Sequence, residues 1–255
     1  FFTVIEILIL SLVQGIAEFL PISSSSHLIL ISKYLNFDNH NLSIDVSLHI
    51  GSFIAVIFYF YKDIINFYEN KILFFKIVIA SIPTMIIGFY LVKLGAIEKI
   101  RNLEIIAWTT LIFGLILYIS DRFELKKKIN DDFNIKSVFF IGFFQILSLI
   151  PGVSRSGIAI TAARFLKFKR IDAAKISFFL SIPILGAVSV FGFMNIIFSK
   201  DSNFTIINLI AIIFSFIFSF FTIKYFLKYI NQFSLNIFVY YRIILGLILL
   251  MLAYL

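Results

Sequence analysis

The residues with the most chemistry in them run from Gln14 to His27, as Gln-Gly-Ile-Ala-Glu-Phe-Leu-Pro-Ile-Ser-Ser-Ser-Ser-His. Gln14 and Glu18 are four residues apart, so a helix puts them on one face. Pro21 breaks that helix, and Ser23, Ser24, Ser25, Ser26 and His27 follow where a new helix would begin. The surrounding sequence is apolar enough for lipid, where an unpaired ionisable group is costly, so Glu18 and His27 mark a functional site. Glu18 can bind a divalent cation or act as a base, and His27 can move a proton. One of the serines, activated by a base, can attack phosphorus. Plainer roles compete: helix capping for one or two serines, a backbone carbonyl partner for His27, and an ion pair for Glu18.

A second constellation is Pro151-Gly152-Val153-Ser154-Arg155-Ser156-Gly157. Gly152 permits close backbone approach, Ser154 and Ser156 bring hydroxyls, and Arg155 brings a planar fork of donors matched to phosphate. The following helix would aim its first N–H groups at the same place. The plainer reading is a Ser/Gly break with Arg155 paired to a carboxylate. Asp45 and His49 make another pair at helical spacing, read as supporting or structural, and Glu6 is read as non-catalytic. No Walker, zinc-ligand or dinucleotide pattern is present. Together the two loops describe metal-assisted phosphoryl transfer within a membrane. The fitting substrate is a phosphate ester on a lipid tail that stays in hydrocarbon while its head reaches the site.

The elements that must position these residues are membrane helices. Mean hydropathy is +1.04 and 61% of residues are hydrophobic, far outside the soluble range. Apolar stretches cover roughly 42–61, 72–95, 104–120, 174–198, 205–227 and 235–255. Each approaches the ~20 residues that cross a bilayer. Period-two alternation is absent, which argues against a barrel. The formal charge of +8 fits basic cytoplasmic loops rather than nucleic-acid binding. With no cysteine, disulfide and thiolate chemistry are excluded. The opening segment does not read as a cleavable signal, because no basic residue precedes it and Glu18 interrupts it.

Residues 3–20 and 27–35 read as two apolar helices around a break, too short and too polar to span singly. A re-entrant pair fits. The pattern returns after a polar midpoint at 121–136: apolar 137–150, the 151–157 break, apolar 158–166. A shift of 131 places Gln14 on Gln145, Ser23 on Ser154, Ser25 on Ser156 and Leu35 on Leu166. The expected fold is an all-α polytopic membrane protein of two inverted-topology repeats, each one re-entrant helix–loop–helix plus about three transmembrane helices. It forms a single integral-membrane domain over 1–255, with repeats about 1–121 and 136–255 joined by a basic cytoplasmic loop. That topology puts fifteen basic residues on the inner face: Lys62, Lys71, Lys76, five from Arg122 to Lys136, five from Arg164 to Lys175, Lys224 and Lys228. Five fall outside: Lys33, Lys93, Lys99, Arg101 and Lys200. Helices of about 24 and 21 Å, entering from opposite faces of a ~30 Å slab, must meet near its middle. Glu18, the serines and His27 are thus expected beside Ser154-Arg155-Ser156.

These motifs carry a resemblance. Gln14-x-x-x-Glu18 with Pro21-Ile-Ser-Ser-Ser-Ser-His27, and Pro151-Gly-Val-Ser-Arg-Ser156, resemble those of the undecaprenyl-diphosphate phosphatase family, also called bacitracin-resistance proteins. Asp45-Val-Ser-Leu-His49-x-Gly51 and Ser177-Phe-Phe-Leu-Ser-Ile-Pro183 are also similar. The resemblance covers nearly the whole chain. It implies hydrolysis of the C55 isoprenoid diphosphate to its monophosphate, recycling the carrier for peptidoglycan. It further implies Mg²⁺ or Ca²⁺ as cofactor and a bacterial plasma (inner) membrane location with the site opening towards the periplasm. By position, Glu18 is the essential acidic and metal-binding residue, Ser24 the nucleophile, His27 the acid/base and Arg155 the phosphate clamp. Gln14, Ser23, Ser25, Gly152, Ser154 and Ser156 complete the phosphate-binding set. The chain departs from the family pattern at Gln14, where the motif admits Glu, at Ala159, where Thr is usual, and at Ser25-Ser26, where Thr-Gly is usual. Expected partners are the lipid substrate and membrane lipids, with no nucleic acid; a homodimer stays open. The competing function is a secondary transporter or flippase for an anionic lipid or solute, because inverted repeats with broken helices are transporter architecture.

Overall fold

The computed structural model describes residues 2–35, 37, 42–66, 71–198 and 205–255. The expected polar turn at Asp38–Asn41, part of the 62–71 loop and Lys200 lie outside the described residues, as does the side chain of Lys33. The described chain is almost entirely helical. Its helices are α1 (Phe2–Ala17), α2 (Ser24–Leu35), α3 (Leu42–Tyr59), α4 (Tyr61–Asn66), α5 (Lys71–Lys93), α6 (Ala96–Lys99) and α7 (Leu103–Asp121) in the first half. After them come α8 (Ile129–Asp132), α9 (Ile135–Ile146), α10 (Arg155–Phe165), α11 (Arg170–Phe198), α12 (Ile206–Gln232) and α13 (Asn236–Tyr254). Six of them, α3, α5, α7, α11, α12 and α13, are long and apolar enough to cross a membrane. Their lipid-ready faces carry many exposed Ile, Leu and Phe side chains. This is a multi-pass membrane protein.

Both hairpins differ in detail from the sequence expectation, for the same reason. The first break is displaced rather than resized: α1 ends at Ala17 rather than at 20, and α2 starts at Ser24 rather than at 27. Pro21 withholds an N–H and disfavours helical dihedrals at the residue before it, so the helix unwinds early. The serines then supply the first turn of α2. In the second hairpin a 3₁₀ turn at Leu147–Leu149 closes α9, and α10 starts at Arg155. Each new helix is preceded by a serine with positive φ, Ser23 at 75° and Ser154 at 72°. The Ser154 hydroxyl caps α10 by accepting the Gly157 N–H at 3.1 Å.

Small and polar residues let the helices approach. A Cβ on Gly51 of α3 would lie 2.4 Å from the Ile212 carbonyl of α12. The contact is laced by hydroxyls, as is common between membrane helices: Asn208 Nδ2 donates to Ser43 Oγ (2.5 Å) and Ser47 Oγ (3.0 Å), and Ser215 Oγ to the Leu48 carbonyl (2.6 Å). α1 also packs on α12, α9 on α5, and α7 on α13. The second hairpin begins and ends at one end of the bundle. There Lys127 and Phe168 form a parallel bridge, and Asp121 pairs with Arg164 (3.4 Å) and Arg170 (2.7 Å). Arg164, fully buried, also donates to the carbonyls of Phe123 and Phe168.

Candidate active site

The tips of the two hairpins meet in the bundle. Arg155 Nη2 lies 3.0 Å from Glu18 Oε1, and both side chains are nearly buried. Ser156 Oγ donates to the Leu20 carbonyl at 2.7 Å, tying one break to the other. Arg155 Nη1 donates to the Ser177 carbonyl of α11 at 3.1 Å, which fixes the plane of the guanidinium. The other carboxylate oxygen, Glu18 Oε2, accepts from Ser24 Oγ at 2.7 Å and from Gln14 Nε2 at 3.1 Å. Gln14 reaches on to Ser52 (3.5 Å), and Ser52 to Ser219 (3.0 Å), so the hydroxyl strip between α3 and α12 continues into the site.

A cavity of about 170 Å³ opens on this cluster. One water needs only about 10–15 Å³ of such space, so a multi-atom anion fits. Glu18, Ser23, Ser24 and Ser25 line it from the first break, and Ser154 and Arg155 from the second. Ser148 and three apolar residues of α11 contribute, together with His49 of α3 and Thr84 of α5. A second, apolar groove of about 260 Å³ runs between α5 and α11. It shares Thr84, Leu149, Ile184 and Val188 with the polar cavity, so the two adjoin. An anionic head with a hydrocarbon tail matches that shape.

The remaining sequence-named residues lie around the cavity rather than in its wall. Gln14 is buried behind Glu18. Ser156 lies beneath, bonded to Leu20. Gly152, with φ 91°, is pressed against α7: a Cβ there would sit 2.0 Å from Thr109 Oγ1 and 2.8 Å from the Ile106 carbonyl. Its close approach serves the contact with α7. Gly152→Ala is therefore expected to lower the unfolding midpoint in detergent, losing at least about 1 kcal/mol; an unchanged midpoint would contradict this packing.

His27 turns away from the cavity. Its Nδ1 donates to the Ser23 carbonyl at 2.7 Å, so Nε2 is the acceptor for the Tyr241 hydroxyl at 2.5 Å. The imidazole that lines the cavity belongs to His49, for which the sequence alone suggests a supporting or structural role. Arg242, an arginine within an apolar stretch, was its overlooked signal. Only 1% exposed, it donates to the carbonyls of Pro21 (3.2 Å), Gly152 (2.9 Å), Val153 (3.1 Å) and Thr110 (3.2 Å). One guanidinium thus staples both breaks to α7.

Two helix breaks thus meet inside a bundle of membrane helices around a carboxylate, an arginine and a serine. The family model described as bacitracin resistance protein BacA matches residues 7–248, and the chain belongs to that family. The undecaprenyl-diphosphatase of Pelagibacter ubique (strain HTCC1062) is 50% identical over 255 residues, covering 100% of this chain and 99% of the relative. Those of Jannaschia sp. (strain CCS1) and Campylobacter curvus (strain 525.92) are 39% and 38% identical. Each of these two alignments spans at least 96% of both chains.

Proposed function

We propose that this protein hydrolyses undecaprenyl diphosphate to undecaprenyl phosphate and inorganic phosphate, recycling the lipid carrier for peptidoglycan synthesis. One observation carries the mechanism: the Ser24 hydroxyl is hydrogen-bonded at 2.7 Å to a carboxylate held by an arginine. That is the arrangement of an activated nucleophile, its base and the group that orients the base. Ser24 Oγ attacks the terminal phosphorus and passes its proton to Glu18. The bond from that phosphorus to the bridging oxygen breaks, and the lipid monophosphate leaves with the proton that Glu18 had taken, so Glu18 is ionised again. Water then attacks the phosphoserine, giving up its proton through Glu18 as Ser24 Oγ is released. Arg155, which lines the cavity while holding Glu18, presents its positive charge to the phosphoryl oxygens and neutralises theirs. The groove between α5 and α11 holds the start of the prenyl chain.

Among the described residues no three His, Cys, Asp or Glu side chains converge as a metal cage. Phosphoryl-transfer sites commonly bind Mg²⁺ through one or two carboxylates plus the substrate's phosphates. Glu18 supplies one such carboxylate, and the buried Gln14 Oε1 beside it has no hydrogen-bond partner. These two residues would hold Mg²⁺ or Ca²⁺ together with the substrate. The ion would supply charge neutralisation at the phosphates.

The same proposal sets the fold in the inner membrane as two inverted repeats with the basic 121–136 connection in the cytoplasm and the site open to the periplasm. Supporting it, each half runs helix, break, helix and then three long apolar helices, with positive φ at the matching Ser23 and Ser154. The test is phosphate release from undecaprenyl diphosphate by purified protein in detergent. Release that EDTA stops and Mg²⁺ restores is expected. An inert wild type that instead carries saturable lipid flux in vesicles would replace the phosphatase with a transporter.

A further inference from the structure

Two helices other than those at the breaks bring to the cavity polar groups that the reaction described above does not use. Helical threonines usually bond the carbonyl four residues back, as Thr109 does to Ile105 (2.6 Å) and Thr222 to Phe218 (2.8 Å). Thr84 does not. Thr84 is 3% exposed, and its Oγ1 has no hydrogen-bond partner. A buried hydroxyl left unpaired costs about 1–3 kcal/mol, which a bound ligand recovers. Among the described residues lining the apolar groove, Thr84 alone has a polar side chain, and it is also shared with the polar cavity. It stands where a hydrocarbon tail would join an anionic head.

His49 of α3 lines the same cavity. Its Nδ1 donates to the Asp45 carbonyl at 2.8 Å, which fixes the ring and leaves Nε2 as its unbonded nitrogen. When the ring is cationic, Nε2 carries the second N–H and donates. Arg155, Ser24 and Ser154 belong to the two breaks, whereas His49 and Thr84 come from α3 and α5. A diphosphate has two phosphates, and the cavity has two sets of donors.

We propose that His49 and Thr84 form a separate subsite for the phosphate that stays on the lipid. The breaks around Ser24 and Arg155 hold the phosphate that is cleaved. This inference rests on the phosphatase reading, and it assigns one subsite to each product. During cleavage the bridging oxygen leaves as part of the monophosphate, and the charge that gathers there falls on the His49 and Thr84 donors.

The experiment is product inhibition of the purified enzyme by undecaprenyl phosphate and, separately, by inorganic phosphate. Thr84→Val keeps the side-chain shape, and Thr84→Ser keeps the hydroxyl. Thr84→Val and His49→Ala are each expected to weaken inhibition by undecaprenyl phosphate about tenfold, as for a lost hydrogen bond to a charged group. Inhibition by inorganic phosphate should not change, and Thr84→Ser should behave as wild type. Unchanged inhibition by undecaprenyl phosphate overturns the subsite. So does an equal loss for both products, since it would mean general damage to the cavity. If wild type releases no phosphate, the phosphatase reading has failed; equilibrium binding of undecaprenyl phosphate to wild type and Thr84→Val then still tests the subsite.

Discussion

Glu18→Gln is expected to lower kcat for phosphate release by about 10²–10⁴-fold, the usual contribution of a general base. The amide keeps the size of the carboxylate but cannot take the Ser24 proton. It also removes the charge that Arg155 faces at 3.0 Å. Breaking a buried pair from one side costs about 3–5 kcal/mol, so the unfolding midpoint in detergent should fall as well. Activity is therefore compared well below the lowered midpoint. Ser24→Ala separates the two effects, because it leaves the ion pair intact. A comparable loss in Ser24→Ala, with phosphoserine trapped in wild type, establishes the serine as nucleophile. Near-normal turnover in Ser24→Ala would instead assign the attack to a water that Glu18 activates.

Arg242→Met should be nearly as damaging, although Arg242 does not line the cavity. The substitution orphans the carbonyls of Pro21, Gly152, Val153 and Thr110, and each buried unpaired acceptor costs about 1–3 kcal/mol. The two breaks would then lose their common anchor, and a misplacement of about 1 Å at a reacting centre can cost about 10²-fold. Arg242→Lys should fail too, because a single ammonium cannot reproduce the spread of a guanidinium fork. Unfolding in detergent and phosphate release are read on the same preparations. A variant with the wild-type midpoint and rate would remove Arg242 from this role.

Much of this was legible in the sequence because it depends on local properties. Hydropathy averaged over a span is local, and all six long apolar helices lie within a few residues of the stretches read from it. Pro21 and the Pro151-Gly152 pair mark the two breaks by backbone chemistry alone. Helix rise then required the tips to meet, which is why Glu18 and Arg155 could be paired across 137 residues. The helix boundaries near the breaks were less legible, because a serine that caps a helix and one that begins it have the same composition.

The choice between the histidines belonged to the tertiary structure. His27 and His49 make the same local bond, Nδ1 to the carbonyl four residues back, at 2.7 and 2.8 Å. Nothing in either segment distinguishes them. The rotation of α2 about its axis turns His27 to Tyr241 of α13, while α3, fixed against α12 through Gly51 and its serines, turns His49 to the cavity. Thr84 and Arg242 follow the same rule. The sequence by itself determined which segments enter the membrane, where they break and which two charges must meet. Only packing decided which side chains face the space between them, because a helix presents all its faces until its neighbours select one.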